Sequence, residues 1–346
     1  MTPTAFDVPT HDRSLWQRFY EAVLELRRNW HLGRARKLPC PVLSVGNLHW
    51  GGGGKTPLTA AVASHLRDQG HNVAILSRGY KGKGSGVRVV STGAGPLLGP
   101  TVVGDEPVLL AGELRGVGVV VCADRYLAGV HALERFEPKP DLLLLDDGFS
   151  HVRLARDIDI LAFPAADPFG GGRLAPGGRL REPLSASRHA EAVVLTGGQP
   201  GDGATLAQAL APFGYRGLGF SSSTSARPAR TSEGLELEAG AAVIAVSGIA
   251  RPEPFQELAR EQGFDVVATL ALADHHDYPD ATLLSIRKLW SEHQPAAVLT
   301  TSKDRVKLQG RLELPLAEIP VRVEPEDAFF AWLDGRLAEI AHQATK

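Results

Sequence analysis

The chain has 346 residues, of which 43% are hydrophobic and 22% charged, and this length and composition suit a globular protein with two hydrophobic cores. A formal net charge of −2 argues against the broad positive field that binds nucleic acid, so we expect no nucleic-acid partner. The two cysteines, Cys40 and Cys122, and the lack of any apolar run of 18 residues predict neither a disulfide framework nor a membrane span. We expect a protein of the cytosol or of the cytosolic face of a membrane.

A basic amphipathic segment extends from about Ser14 to Trp30 and predicts a helix. Its apolar side chains recur every three to four positions: Leu15, Trp16, Phe19, Tyr20, Val23, Leu24 and Leu26. Between His11 and Leu38, seven lysine and arginine residues stand against three acidic residues. This pattern fits a helix lying in a lipid interface, and it fits equally well a helix packed on its own domain with a solvated basic face.

Residues 41–57 contain the sequence PVLSVGNLHWGGGGKTP, which predicts a phosphate-binding loop. The apolar run from Pro41 to Val45 predicts a buried strand, and a helix-forming segment follows the glycines and ends near Gly70. His49 stands where the strict glycine-loop motif has glycine. The residues expected to hold the nucleotide are Gly51, Gly52, Gly53, Gly54, Lys55, Thr56 and Pro57.

Each part of this loop has a physical role. Glycines lack a Cβ atom, so their main-chain N–H groups can turn toward an anion, and the following helix N-terminus adds a partial positive charge. Lys55 would reach the terminal phosphates, and the Thr56 hydroxyl would ligate Mg²⁺. The loop therefore predicts a nucleotide-dependent enzyme.

The next strand is predicted at Asn72–Ser77 and ends beside Arg78, a candidate ligand for phosphate or substrate. Residues 81–104 are rich in glycine and are predicted to form a mobile loop region. Asp105 and Glu106 follow, just before a helix. They either cap that helix or serve as acid/base groups facing the phosphate site, and their spacing does not decide between these roles.

Two further strands bring charged groups to the same edge of the predicted sheet. The strand at 117–122 precedes Arg125, a candidate for clamping a phosphate. Residues 141–147, DLLLLDD, predict a core strand that ends in carboxylates, which is the Walker-B arrangement with Asp146 or Asp147 on Mg²⁺. His151 lies in the turn that follows and is a further candidate for contact with phosphate or substrate.

The loop from 168 to 183 is rich in glycine and proline and carries Arg173, Arg179 and Arg181, so we expect it to bind anions. A strand at 191–196 and a helix near 203–211 are predicted to complete the first domain. Residues 214–240 have no strong periodicity and are predicted to be a linker.

A second α/β pattern follows, with strands at 242–247, 265–270 and 296–301, helices at 252–262 and 279–292, and a final helix at 326–342. The sequence ADHHDY (273–278) offers metal ligands, acid/base groups or a plain polar loop. Adjacent histidines rarely bind one ion, so one histidine held by a carboxylate as an acid/base group is favoured. TTSKD (300–304) differs from the base-reading NKxD motif because Lys303 and Asp304 are adjacent, which argues against a GTP switch.

Eight motifs in order together resemble the tetraacyldisaccharide 4′-kinase family, the lipid A 4′-kinases of Gram-negative bacteria, from about residue 15 to residue 308. They are VGNLHWGGGGKTP (45–57), SRGY (77–80), GDEP (104–107), ADRY (123–126), LLLDDGFSH (143–151), PFGGGRLAPGGRLREP (168–183), ADHHDY (273–278) and TTSKD (300–304). The resemblance implies an α/β fold, a P-loop NTPase-like α/β/α sandwich with a second, smaller α/β domain. The expected units are an amphipathic segment (1–40), a kinase domain (41–213), the linker (214–240) and a C-terminal domain (241–346).

The resemblance also implies an activity, which is transfer of the γ-phosphate of ATP to the 4′-hydroxyl of a tetraacylated glucosamine disaccharide 1-phosphate, giving lipid IVA. Mg²⁺ would assist, and the enzyme would lie peripherally on the cytoplasmic face of the inner membrane, held partly by its N-terminal helix. We expect a monomer.

Residue roles follow from the same resemblance. Asp105 would activate the sugar hydroxyl, and His275 would orient it or pass the proton on. The other matched residues are Lys55 and Thr56 of the loop, the Walker-B pair Asp146 and Asp147, and Arg125, Arg181 and Glu182 around phosphate and substrate. Ser150 stands where the family usually has Gln. From the residues themselves, a P-loop kinase of another small or lipid-linked substrate and a nucleotide-dependent switch or metallochaperone remain alternatives.

Overall fold

A computed structural model of the chain describes residue 6 and residues 15–51, 54–249 and 251–344. The predictions for Gly52 and Gly53, and the start of the N-terminal segment before Leu15, lie outside the described residues.

In the part of the chain that the structure describes, the larger of two sheets has nine strands in the order β14-β8-β7-β6-β1-β5-β2-β4-β3. These strands are β1 (Val42–Gly46), β2 (Val73–Ser77), β3 (Arg88–Thr92), β4 (Gly118–Val121), β5 (Leu142–Asp146), β6 (Ile158–Pro164), β7 (Ala192–Thr196), β8 (Leu218–Ala226) and β14 (Val321–Pro325). The seven strands from β8 to β4 pair in parallel, whereas β14 and β3 are antiparallel edge strands. The central strands are buried along their whole length because helices cover both faces.

Within the described residues, seven α-helices accompany this sheet: α1 (Leu15–Leu32), α2 (Lys55–Asp68), α3 (Pro100–Val103), α4 (Asp105–Glu113), α5 (Arg125–Arg135), α6 (Asp202–Leu210) and α10 (Asp327–Ala344). The alternation of side chains along β5 divides the core into two layers. Leu142 and Leu144 pack with α2, α4 and α10, whereas Leu143 and Leu145 pack on the other side with α5. The apolar run predicted as a core strand is therefore covered on both faces.

The smaller sheet has the order β11-β10-β12-β13-β9. Its strands are β9 (Arg230–Thr231), β10 (Ala242–Ser247), β11 (Asp265–Ala271), β12 (Ala297–Thr301) and β13 (Leu316–Ile319), and its helices are α7 (Glu253–Glu261), α8 (Asp280–His293) and α9 (Ser302–Leu308). All its pairs are parallel except β13 with β9. Helix α9 packs against α4, so an element of the smaller sheet meets an element of the larger one.

The structure differs from the linker predicted at residues 214–240. This stretch contains β8, which extends the large sheet, and β9, which closes the small one. The chain then returns to the large sheet at its end, where β14 pairs with β8 from Val321↔Ala226 to Pro325↔Ser222. Only the centre of β8 is buried, and the rest of the strand is rich in serine. The sequence therefore lacks the apolar run that would have predicted a strand.

Residues 81–104, predicted to be a mobile loop, include β3 and α3. The prediction failed there because β3 is a short edge strand between glycines, with only two of its five residues buried. Among the helices that the structure describes, none combines the length and the apolar character needed to cross a membrane.

Candidate active site

The glycine loop joins β1 to α2 and leaves Lys55 as the first residue of the helix. Gly51 and Gly54 have φ values of 90° and 73°, a region that side chains rarely adopt. A Cβ atom on Gly54 would lie 2.8 Å from Thr196 Oγ1, so the position requires glycine on steric grounds as well. Lys55 Nζ lies 3.5 Å from the Gly51 carbonyl oxygen, which places the ammonium group over the loop. Thr56 follows in the first helical turn, next to Pro57.

Asp146 ends β5 between β1 and β2 and is 1% exposed. Its Oδ1 accepts a hydrogen bond from Thr59 Oγ1 at 3.2 Å, and its Oδ2 accepts one from Ser77 Oγ at 3.3 Å. Burial raises the pKa of Asp146 to about 7, and the nearby Glu106 adds to this rise. This carboxyl group is thus held beside the loop, with its charge dependent on a neighbouring cation.

Asp147 has a positive φ of 52° and pairs with Arg181. Arg181 Nη1 donates to Asp147 Oδ2 at 2.8 Å and Nη2 donates to Oδ1, while the guanidinium also bonds the carbonyl oxygen of Asn47. Burial favours a raised pKa for Asp147, but the hydrogen bonds from Arg181 and the charge of Lys55 outweigh it and lower the pKa. The 168–183 loop therefore places one arginine directly on the Walker-B pair.

Arg125 opens α5 and is 5% exposed. Its Nη1 donates to the Ala123 carbonyl oxygen at 2.9 Å, and its buried Nε has no hydrogen-bond partner within the described ranges. Burial and the charge of Arg78 lower the pKa of Arg125 to about 10. Burial and the charge of Arg125 likewise lower the pKa of His151 to about 4, so its ring is neutral near pH 7. Two close guanidinium groups form a site suited to an anion.

Asp105 and His275 meet across the two sheets, although 170 residues separate them. Asp105 begins α4 and is 5% exposed, and His275 Nδ1 lies 2.9 Å from Asp105 Oδ2. Burial tends to raise the pKa of Asp105, but the hydrogen bond with His275 and the charges of Lys307 and Lys303 hold it well below its ordinary value. The carboxylate is therefore ionised at neutral pH.

The two adjacent histidines have different partners. His276 Nε2 lies 2.9 Å from Thr282 Oγ1, whereas His275 faces Asp105. Of the three open interpretations of this segment, the geometry fits one histidine paired with a carboxylate.

Glu182 receives hydrogen bonds from two sides. Arg28 Nη1 of α1 donates to Glu182 Oε2 at 2.9 Å, and the Ser150 hydroxyl donates to Oε1. Arg28 also lies 4.1 Å from the centre of the Phe149 ring. The serine that replaces the expected glutamine thus contacts Glu182, and α1 is tied to the loop next to Arg181.

The structure separates some residues that the sequence grouped. Arg179 pairs with Asp167 in its own loop at 3.1 Å, so it is not part of the cluster around Asp147. Lys307, Thr59 and Ser77 belong to the site and were missed. No motif includes Lys307 or Thr59, and SRGY (77–80) includes Ser77 but pointed only to Arg78. For Lys307 the one available signal was its spacing of four from Lys303 on a helix.

A magnesium ion fits this site only together with a nucleotide. In residues 15–51, 54–249 and 251–344, no three histidine, cysteine, aspartate or glutamate side chains converge on a metal position. Mg²⁺ usually takes one or two protein carboxylates, several waters and the phosphates of its nucleotide. The buried carboxyl of Asp146 and the hydroxyl of Thr56 meet that modest requirement.

A parallel sheet, a glycine loop before a Lys-Thr helix, and a strand ending in two aspartates define the fold of a P-loop kinase. Comparison with known proteins then identifies the family. Residues 15–338 match the family model for LpxK, tetraacyldisaccharide-1-P 4′-kinase, and the chain belongs to this family.

Individual relatives agree with this assignment. The chain is similar to the tetraacyldisaccharide 4′-kinase of Syntrophus aciditrophicus, with 37% identity over 93% of each chain. It is 42% identical to that of Pelobacter propionicus over 80% of this chain and 76% of the relative. A solved structure of LpxK from Aquifex aeolicus in complex with ATP matches 93% of this chain and 97% of its own, with a TM-score of 0.75 and 33% identity.

Proposed function

We propose that this protein transfers the γ-phosphate of ATP to the 4′-hydroxyl of a tetraacyldisaccharide 1-phosphate, a step in lipid A biosynthesis. The observation that carries the proposal is the match, over 93% of the chain, to an LpxK structure in complex with ATP. The named relatives support the same acceptor.

The nucleotide is held by the loop before α2. Main-chain N–H groups at Gly51 and Gly54 and the N-terminus of α2 bind the phosphates, and Lys55 offsets their charge. The Thr56 hydroxyl and Asp146 or Asp147 would hold Mg²⁺, which would offset negative charge on the phosphates of the nucleotide.

Positive side chains surround the transferring group. Burial and the charge of Arg78 lower the pKa of Arg125, and the buried Nε of Arg125 has no hydrogen-bond partner among the described residues. Arg181 pairs with Asp147 at the end of the Walker-B strand and also bonds the Asn47 carbonyl oxygen. These guanidinium groups stabilise the charge that spreads over the phosphoryl oxygens in the transition state.

Asp105 accepts the proton of the attacking sugar hydroxyl, and His275 orients its carboxylate. The support for this role is the burial of Asp105, its ionised state and its contact with His275 at 2.9 Å. Phosphoryl transfer depends mainly on alignment and charge stabilisation, so a fixed carboxylate is sufficient as the base.

The enzyme works as a monomer on the cytoplasmic face of the inner membrane. One face of α1 supports this location because Phe19, Val23, Leu26 and Trp30 are exposed at helical spacing, with the exposed fraction of Leu26 reaching 73%.

The proposal is tested by incubating the full chain with γ-labelled ATP and a tetraacyldisaccharide 1-phosphate in detergent micelles. We expect label in a bisphosphorylated lipid whose new phosphate is at the 4′ position. Labelled product from a soluble sugar acceptor, with none from the lipid, would contradict the proposed substrate.

A further inference from the structure

Arg28 of α1 contacts two loops of the site at once. It is 6% exposed, and its Nη1 atom donates to Glu182 Oε2 at 2.9 Å. Its guanidinium carbon lies 4.1 Å from the centre of the Phe149 ring. Glu182 directly follows Arg181 in the chain. Phe149 stands two residues after Asp147. Arg28 therefore binds the chain immediately beside each partner of the Asp147–Arg181 pair.

Glu182 is the counter-ion of this buried guanidinium group. Burial lowers the pKa of Arg28, and the charge of Glu182 is the largest influence that opposes this. The nearby Asp159 is already bound by Arg156 Nε, at 2.9 and 3.0 Å from its two oxygens. The Nε and Nη2 atoms of Arg28 have no hydrogen-bond partner among the described residues, so its pairing depends on Glu182. Removing either member would leave the other charge buried without its partner.

The position of Arg181 depends on how Glu182 is held, because the two residues share one planar peptide unit. Their main-chain N–H groups both donate to the Leu48 carbonyl oxygen, at 2.8 Å and 3.3 Å. The carboxylate of Glu182 is fixed from two sides, by Arg28 and by the Ser150 hydroxyl. With the main chain and the neighbouring side chain both held, the Arg181 guanidinium is directed to the end of the Walker-B strand.

The contact with Phe149 holds the other side of the pair. Phe149 is fully buried, and a Cβ atom on Gly46 would lie 2.5 Å from its Cβ atom. The side chain is therefore packed directly on the end of β1, ahead of the nucleotide loop. The Gly148 N–H group donates to the Val45 carbonyl oxygen at 3.1 Å and ties the same turn to β1. A guanidinium group over an aromatic ring is attracted to it, so Arg28 secures this turn from the side of α1.

We propose that Arg28 is a positioning residue for phosphoryl transfer, and that its two contacts fix Arg181 against Asp147. The inference rests on the proposed function. Arg181 supplies positive charge at the transferring group, and Arg28 acts on the reaction only through it. Loosening Arg28 therefore lowers kcat, whereas Lys55 and the nucleotide loop continue to bind ATP.

The test is a double-mutant cycle in kcat. Arg28→Met and Arg181→Met are made singly and together in the full chain, and transfer from γ-labelled ATP to the tetraacyldisaccharide 1-phosphate is measured in detergent micelles. We expect Arg28→Met to lower kcat roughly 10- to 100-fold, because a small misplacement of a reacting or stabilising group can cost about 10²-fold. In the Arg181→Met background the same change should lower kcat less than about twofold, because the group that it positions is already absent.

The KM for ATP and two further variants distinguish positioning from damage to the fold. In Arg28→Met the KM for ATP should stay within about twofold of wild type, because the lost interaction belongs to the transition state. Arg28→Lys keeps a charged donor and should recover most of the lost kcat, and Arg287→Met, at an exposed arginine of α8, should leave kcat unchanged. Folding is checked by circular dichroism, and kcat is referred to the fraction of each enzyme that binds ATP. Arg28→Gln, which keeps a neutral donor, takes the place of Arg28→Met in the cycle if the methionine variant does not fold.

Equal fold losses in the two backgrounds, in an enzyme whose wild type is active, would overturn the role of Arg28. A merely structural residue lowers kcat whether or not Arg181 is present. Wild-type kcat in the folded Arg28→Met enzyme would overturn the role as well. A wild-type enzyme that forms no 4′-phosphorylated lipid would overturn the proposed function instead.

Discussion

The carboxylate of Asp105 shows how neighbouring charges determine the state of a buried group. Burial alone favours the neutral form, yet His275 and the two lysines of α9 hold the pKa below the ordinary 3.8. A lowered folded-state pKa means that the ionised group stabilises the fold fully above the unfolded pKa. That stabilisation is lost as the pH falls through the folded-state value.

Asp105→Asn is therefore expected to lower the free energy of unfolding at pH 7 by about 1–3 kcal/mol, the usual range for hydrogen bonds to a charged group. The difference from wild type should shrink as the pH falls below about 4, where the unfolded carboxyl becomes protonated. Urea unfolding at pH 7 and pH 3 measures both quantities. Asp68→Asn, at an exposed aspartate, is the control, and a difference that grew at pH 3 would contradict this account.

Lys55 has a different role, since it contributes charge to the site and few contacts to the fold. Lys55→Ala should reduce kcat for phosphoryl transfer roughly 10²–10³-fold, the usual loss when one preorganised charge stabiliser is removed. Thermal unfolding should stay close to wild type because, among the described residues, the ammonium group contacts only the Gly51 carbonyl oxygen, at 3.5 Å. Lys288→Ala is the matched control, and transfer at the wild-type rate by Lys55→Ala would refute the loop assignment.

At the scale of elements, the sequence of α1 left two alternatives open: a helix packed on its own domain, and a helix lying in a lipid interface. The structure shows features of both. Arg28 is buried and binds Glu182, so one face of the helix is attached to the fold. Leu26 and Trp30 are exposed at 73% and 57%, so another face is available to a lipid interface. Removing the whole helix would disturb both functions together, and single substitutions separate them.

The attached face is tested with Arg28→Met. We expect a loss of about 1–3 kcal/mol in the free energy of unfolding because Glu182 loses a charged hydrogen-bond donor. Arg27→Met, at the exposed neighbouring position, should change stability by less than about 0.5 kcal/mol. Equal losses in the two variants, measured by urea unfolding, would show that the Arg28–Glu182 pair does not attach the helix.

The exposed face is tested with Leu26→Ser and Trp30→Ser in co-sedimentation with anionic vesicles. Each large apolar side chain contributes about 1.5–3 kcal/mol when it leaves water, so each change should weaken partitioning roughly tenfold or more. Leu284→Ser, at a leucine of α8 that is 60% exposed, is the control. Unchanged sedimentation of both α1 variants would remove the membrane role of this helix.

At the scale of the whole molecule, the features that could be predicted are contiguous in the chain. The apolar run of β5 followed by two aspartates, and the glycines followed by Lys55 and Thr56, each occupy one short segment. Pairing between distant segments has no such local signal. The alignment of β8 with β14 and the approach of Arg28 to Glu182 depend on how the chain packs in three dimensions. The Asp105–His275 pair was expected from family resemblance alone.

The central claim is that the carboxylate held between the two sheets activates the acceptor hydroxyl beside the nucleotide loop. Single-turnover transfer from γ-labelled ATP to the lipid acceptor in Asp105→Asn tests it most directly, with ATP binding measured in parallel. We predict unchanged ATP affinity and a transfer rate lower by roughly 10²–10⁴-fold, the usual contribution of a general base. Transfer at the wild-type rate by the folded variant would contradict the account.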